Sequence, residues 1–157
     1  MENVSLEEQV RKALLQRQWM MGTAESCTGG RIASLITSVS GSSAYFAGGI
    51  VSYSNPVKEN VLGVSASDLS QFGAVSRPVV EQMVKGAMRV LGCDCAVATS
   101  GIAGPTGGSP DKPVGTVWIA AATRDKVVSE CFYFKGDRKQ NIQQAAEKAL
   151  QLLLDIL

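Results

Sequence analysis

A chain of 157 residues, 45% hydrophobic and 18% charged, is long enough to bury a single core without disulfide or metal staples. Fifteen basic against fourteen acidic residues leave a formal charge of +1, which lacks the basic footprint of a nucleic-acid-binding surface. No histidine occurs, so Ser-His-Asp and Cys-His catalysis and imidazole metal ligation are excluded, and proton transfer falls to Lys, Asp, Glu, Tyr or Cys.

The first twenty residues mix charges of both signs with apolar side chains, and offer neither a signal-peptide core nor a membrane span. The expectation is a cytoplasmic chain whose cysteines, Cys27, Cys93, Cys95 and Cys131, stay reduced. Their spacing includes C-x-C but no C-x-x-C, so without histidine they read as buried thiols and not as a zinc set.

Leu6, Val10, Ala13 and Leu14 recur at helical spacing, predicting an amphipathic helix over 5–21 that Gly22 stops. A strand over 23–26 follows, then a helix in "CTGGRIASLITSV" whose first turn carries Thr28, Gly29 and Gly30; the strand-to-helix turn falls on Ser26 and Cys27. Residues 43–54 are rich in strand formers, with Gly48 and Gly49 marking a bulge or a close backbone approach. Asn55 and Pro56 then cap and start a helix carrying Lys58 in its first turn.

Residues 76–91 follow the 3-4-3 pattern between Ser76 as cap and Gly92 as stop. A buried strand over 94–99 leads into a long loop, Ser100 to Pro113, rich in glycine and proline. "GTVWIAAAT" and "VVSECFYF", joined by Arg124, Asp125 and Lys126, read as an antiparallel hairpin, and the apolar face from Ile142 to Leu157 as a final helix. Alternating helix and strand followed by a late hairpin predict one α/β domain over 1–157, three layers around a mixed, mostly parallel sheet.

Ligands of α/β sheets bind outside the carboxyl ends of strands, which makes Ser26 a positional candidate for a nucleophile beside helix N–H groups suited to an oxyanion. A simple helix cap is the alternative for Ser26. Glu25 reads as a base, or as a solvent-facing or structural carboxylate. Cys27 competes as nucleophile against a small buried side chain under the helix. A lysine kept neutral by burial can activate a serine, and the turn at Lys58 parallels the one at Ser26, so adjacent strand ends would join Tyr53, Lys58 and Ser26. An exposed lysine is the plain alternative. "SGIAGPTGG" suits backbone contacts to a phosphate, yet it lacks the P-loop lysine and is not G-x-G-x-x-G.

"TAESCTGG", "GGIVSYSNPVK", "GAVS", "SGIAGPTGG" with "KPVGTVW", and "FKGDR" follow one another across nearly the whole chain. In this order they resemble the C-terminal domain of the CinA competence/damage-inducible family, which also occurs as a stand-alone nicotinamide-nucleotide amidase. The resemblance implies a three-layer α/β/α sandwich that hydrolyses the carboxamide of nicotinamide mononucleotide to nicotinate mononucleotide and ammonia. It also implies catalytic roles for Ser26, Tyr53 and Lys58, with Tyr53 as an optional relay between the other two, and the oxyanion is expected on backbone amides at Cys27 to Gly30 or at Ser100 and Gly101.

Substrate contacts are expected from Cys27, Thr28, Gly29 and Gly30, from Thr99, Ser100 and Gly101, and from Gly104 and Thr106 in the loop. Lys112 and Arg138 are the expected alternatives for holding the phosphate. The partner expected is a small-molecule nucleotide, with no cofactor, metal, nucleic acid or membrane; apolar faces on the first and last helices leave room for a homo-oligomer. The competing function is a nucleotide-binding module tied to competence or DNA damage, without turnover.

Overall fold

The computed structural model describes residues 4–157; residues 1–3 of the predicted domain lie outside the described residues. Helix α1 (Leu6–Arg17) is capped by Ser5, whose side chain accepts from Glu8 N, and ends at Gln18 in the left-handed conformation. The predicted helix ran on to residue 21. It ends sooner because strand β1 (Met21–Glu25) claims Met21 and Gly22, every residue of it being buried. Gly22 packs closely there: a Cβ would lie 2.6 Å from Leu91 Cδ1, whose side chain would have to shift.

Helix α2 (Arg31–Thr37) and a short 3-10 turn (Ser42–Ala44) lead to strand β2 (Phe46–Val51). Its register against β1 slips between Phe46 and Gly48, the irregularity that the paired glycines foreshadow. Helix α3 (Asn55–Asn60) is followed by α4 (Ala66–Phe72) and α5 (Arg77–Leu91). The pattern reading did not anticipate α4. At seven residues with only Leu69 buried, it is too short to show a period. Strand β3 (Cys95–Gly101), the hairpin β4 (Thr116–Thr123) with β5 (Val127–Tyr133), and helix α6 (Arg138–Ile156) complete the chain.

The sheet order is β2-β1-β3-β4-β5, with β1 parallel to β2 and β3, and β4 antiparallel to β3 and β5. Of the five strands β4 alone runs against the rest, as a mixed, mostly parallel sheet requires. Alternation along the strands builds two cores. Val97, Ile119 and Ala121 pack with Val10 and Leu14 of α1, Ile32 and Ile36 of α2, and Ala145, Ala149 and Leu153 of α6. On the other face Ala96, Ala98, Ala120 and Ala122 meet Leu69 of α4 and Val80, Met83, Val84 and Ala87 of α5.

The alanines on this second face let α5 sit close, and burial of each large α5 side chain contributes roughly 1.5–3 kcal/mol. Helices on both faces give the three-layer sandwich. No helix among the described residues is long and apolar enough to cross a membrane. Because β2, β1 and β3 are parallel neighbours, their carboxyl ends, at Val51, Glu25 and Gly101, emerge side by side.

Candidate active site at three strand ends

Ser26 continues β1 by one residue, its amide donating to Thr99 O at 3.1 Å. The chain then turns: Gly29 N donates to Ser26 O at 3.1 Å and Arg31 N to Thr28 O at 3.0 Å, with Gly29 at φ 58° and Gly30 at φ 103°, values that disfavour a side chain. Gly30 caps α2 without a side chain of its own. Glu25 takes over that task, accepting from Ile32 N at 2.9 Å through Oε1 and from Ala33 N at 3.0 Å through Oε2. Thr28 donates its hydroxyl to Glu25 Oε1 at 2.6 Å and lies 2.8 Å from the Thr99 hydroxyl.

Of the turn amides expected to hold an oxyanion, Cys27 to Gly30, that of Gly29 is bonded to Ser26 O. Ile32 and Ala33 are already engaged, whereas the amides of Cys27, Thr28 and Gly30 donate to no protein carbonyl or carboxylate among the described residues. At 1% exposed and accepting three hydrogen bonds, Glu25 has the surroundings of a structural carboxylate and not of a solvent-facing one.

At the neighbouring junction Ser52 donates to Glu25 O through its amide at 2.8 Å and through its hydroxyl at 3.3 Å. Ser54, and not the predicted Asn55, caps α3, with Pro56 just inside. This start turns Lys58 inward until it is 1% exposed, with Nζ 3.1 Å from Ser26 Oγ. Lys58 donates in that contact. In the neutral amine it can run the other way, the hydroxyl donating to the nitrogen lone pair. Among the described residues no acidic side chain pairs with Lys58; the ion pairs there are Arg11 with Glu8 and Arg124 with Asp94. Burial pulls the Lys58 pKa below the ordinary lysine value of 10.5, toward the neutral amine that a base must be.

A cleft of about 250 Å³ opens over the pair, lined by Ser26, Cys27, Tyr53, Gly101, Ile102, Ala103, Gly104, Thr106, Gly107 and Arg138. Ser26 remains 9% exposed at its floor. Tyr53 stands at the rim, 61% exposed, and its hydroxyl receives a bond from Arg138 Nη2 at 3.2 Å; no hydrogen bond joins it to Lys58 among the described residues. Arg138 Nη1 also donates to Gly104 O at 2.7 Å, tying the start of α6 to the glycine-rich loop.

Of the expected substrate contacts, Cys27, Gly101, Gly104 and Thr106 line the cleft. Thr28, Gly29, Gly30, Thr99 and Ser100 lie outside the lining, and the Thr28 and Thr99 hydroxyls are spent on each other and on Glu25. Of the two cations considered for a phosphate, Arg138 lines the cleft, while Lys112 Nζ donates to Phe72 O at 2.6 Å. Cys27 is 7% exposed and burial pushes its thiol up to about 12, which removes the thiolate that a cysteine nucleophile needs.

The sequence profile described as the CinA C-terminal domain matches residues 3–157. The chain belongs to the CinA C-terminal domain family. Within this family it is 50% identical over 153 residues to the nicotinamide-nucleotide amidohydrolase PncC of Escherichia coli, covering 97% of this chain and 93% of that protein. It is 54% identical over 134 residues to PncC of Pseudomonas putida, covering 85% and 84%. The crystal structure of the competence/damage inducible protein CihA from Agrobacterium tumefaciens superposes with a TM-score of 0.92 at 38% identity, covering 99% of this chain and 98% of that one.

Two side chains of this CinA-family site carry more than the residue patterns suggested, and both had a signal in the sequence. A helix whose N-cap is glycine must find its acceptor elsewhere, which points back to Glu25 at the strand end. Asp137 and Gln140 form a capping box that fixes the start of α6 and puts Arg138 in its first turn. A cation is disfavoured at that end of the helix dipole, so its presence there asks for a reason.

Proposed function

We propose that this chain hydrolyses the carboxamide of nicotinamide mononucleotide to nicotinate mononucleotide and ammonia, in pyridine nucleotide recycling, with Ser26 as nucleophile and Lys58 as base. The observation that carries the mechanism is the 3.1 Å contact between Ser26 Oγ and a buried lysine that has no acid partner among the described residues. The names of the amidohydrolase relatives support the substrate.

In the forward step the neutral Lys58 amine takes the hydroxyl proton as Ser26 Oγ bonds to the amide carbon. The carbonyl oxygen becomes an oxyanion held by the turn amide of Cys27, which lines the cleft, a good donor contributing about 3–4 kcal/mol. As the C–N bond breaks, the Lys58 ammonium returns the proton to nitrogen and ammonia leaves. Water then gives a proton to Lys58 and attacks the Ser26 ester, the C–O bond breaks, and the proton returns to Ser26 Oγ. One water is consumed for each amide cleaved.

Arg138 is the cation at the cleft suited to the phosphate, and the Tyr53 ring suits the cationic pyridinium. Cysteines without disulfides fit a reducing, cytoplasmic setting.

The test is incubation with nicotinamide mononucleotide while ammonia and nicotinate mononucleotide are followed. Wild type turns over, Ser26→Ala loses at least about 10³-fold in kcat, and Cys27→Ala stays active. Turnover retained by Ser26→Ala would overturn the serine mechanism; nucleotide binding without ammonia release would establish the binding module instead.

A further inference from the structure

Glu25 is a buried carboxylate that this reaction leaves unused. It is 1% exposed and adjacent to the nucleophile, yet it does not line the cleft. Its side chain accepts from Thr28, Ile32 and Ala33, and its main-chain carbonyl accepts from Ser52. The single Thr28 hydroxyl proton goes to Glu25, so in the 2.8 Å contact the Thr99 hydroxyl is the donor. A directed chain results, from Thr99 through Thr28 to Glu25. It clamps the ends of β3 and β1 together, and Ser26 sits between them with its amide on Thr99 O.

We propose, resting on the Ser26 and Lys58 reading, that Glu25 is a positioning residue that fixes the Ser26 hydroxyl against Lys58 through Thr28 and Thr99. The turn has little else to hold it. Inside it stand two hydrogen bonds and two glycines in the left-handed region, and glycine is the residue most ready to adopt other conformations. Ser26 has one rotatable side-chain bond, so the place of its oxygen follows the backbone of this turn. The Glu25 carbonyl also holds Ser52, and the chain from there leads through Tyr53 and the α3 cap to Lys58. One residue thus sets both halves of the 3.1 Å contact. A displacement of the order of 1 Å between reacting groups costs about 100-fold in rate.

The experiment measures two rates: turnover of nicotinamide mononucleotide, and labelling of Ser26 by an alkyl fluorophosphonate, located by peptide mass spectrometry. Thr28→Val keeps the shape and removes the hydroxyl, Thr28→Ser restores it, Glu25→Gln sets an amide N–H against a backbone N–H, and Leu153→Ala in α6 lowers stability far from the turn. Thr28→Val and Glu25→Gln are expected to lose about 10- to 100-fold in kcat and in Ser26 labelling, with KM within about 2-fold. Thr28→Ser and Leu153→Ala stay within about 2-fold of wild type, below their melting temperatures.

Thr28→Val as active and as readily labelled as Thr28→Ser would overturn the inference while leaving the serine mechanism standing, and so would a loss confined to KM. If wild-type Ser26 takes no label and Ser26→Ala still releases ammonia, the serine reading fails and this inference with it.

Discussion

Glu25 and Lys58 are both 1% exposed, and both sit where a strand of the same sheet edge passes into a helix. At the first junction the helix cap is a glycine, and the acid accepts three hydrogen bonds, two of them from helix amides. At the second, Ser54 caps without a side-chain bond and the base meets a single hydroxyl. Burial is the same, but the compensation differs. A carboxylate with its acceptor sites filled holds structure together, whereas an amine taken out of water without an anion is pushed toward its neutral form. In the proposed mechanism the two junctions divide the labour: one fixes the nucleophile, the other supplies a reactive nitrogen.

Replacing the base breaks this contrast most severely. Lys58→Met keeps the length of the side chain and removes the amine, so kcat is expected to fall by about 10³-fold, within the range that a lost general base produces. The same change should raise the melting temperature at neutral pH, because an unpaired buried amine gives way to an apolar chain. The pH dependence has a definite sign. Between its lowered folded value and 10.5, Lys58 binds more protons in the unfolded chain than in the folded one, so wild-type stability rises with pH through that window and loses its deficit relative to Lys58→Met. Melting curves of both proteins from neutral to alkaline pH check this. In wild type, kcat should fall as pH drops through the folded Lys58 pKa, on a limb lying below that of an ordinary lysine; an acid limb at 10.5 would contradict a base activated by burial.

Arg138 belongs to neither junction, and its removal should leave the dyad untouched. Arg138→Ala is expected to raise KM for the mononucleotide by about 10- to 100-fold with kcat nearly unchanged, the size of a lost charge-assisted hydrogen bond. Nicotinamide riboside, which has no phosphate, is the control, and its turnover should not change. Equal losses on both compounds would mean that Arg138 serves the strap to Gly104 and Tyr53 and not the phosphate.

How far the site could be read in advance follows the same division. The β1 and β2 ends were legible because each pairs a strand pattern with a helix start, and neighbouring parallel strands must bring such ends together. Helix α5 was legible because Val80, Met83, Val84 and Ala87 repeat at helical spacing over fifteen residues. The end of α1 was not, since amphipathic spacing continues through residues that β1 buries on both sides. Nor was the fate of the Thr28 and Thr99 hydroxyls, 71 positions apart, whose bond exists only once β3 lies beside β1.

The smallest predicted effect bears on Tyr53, which begins the second junction with no hydrogen bond to Lys58 or Ser26 among the described residues. A proton relay through its hydroxyl would need contact with Lys58 or Ser26, but the hydroxyl receives Arg138 Nη2 at the exposed rim while Lys58 reaches Ser26 directly. Tyr53→Phe keeps the ring over the cleft and removes only that rim bond, so kcat should stay within about 3-fold of wild type, the upper part of it reflecting a looser Arg138. A loss of about 100-fold, with KM unchanged, would place the hydroxyl in the proton path. Lys58 would then be the distal partner of a relay, and the second junction would need two side chains to do what one buried amine does in the geometry seen here.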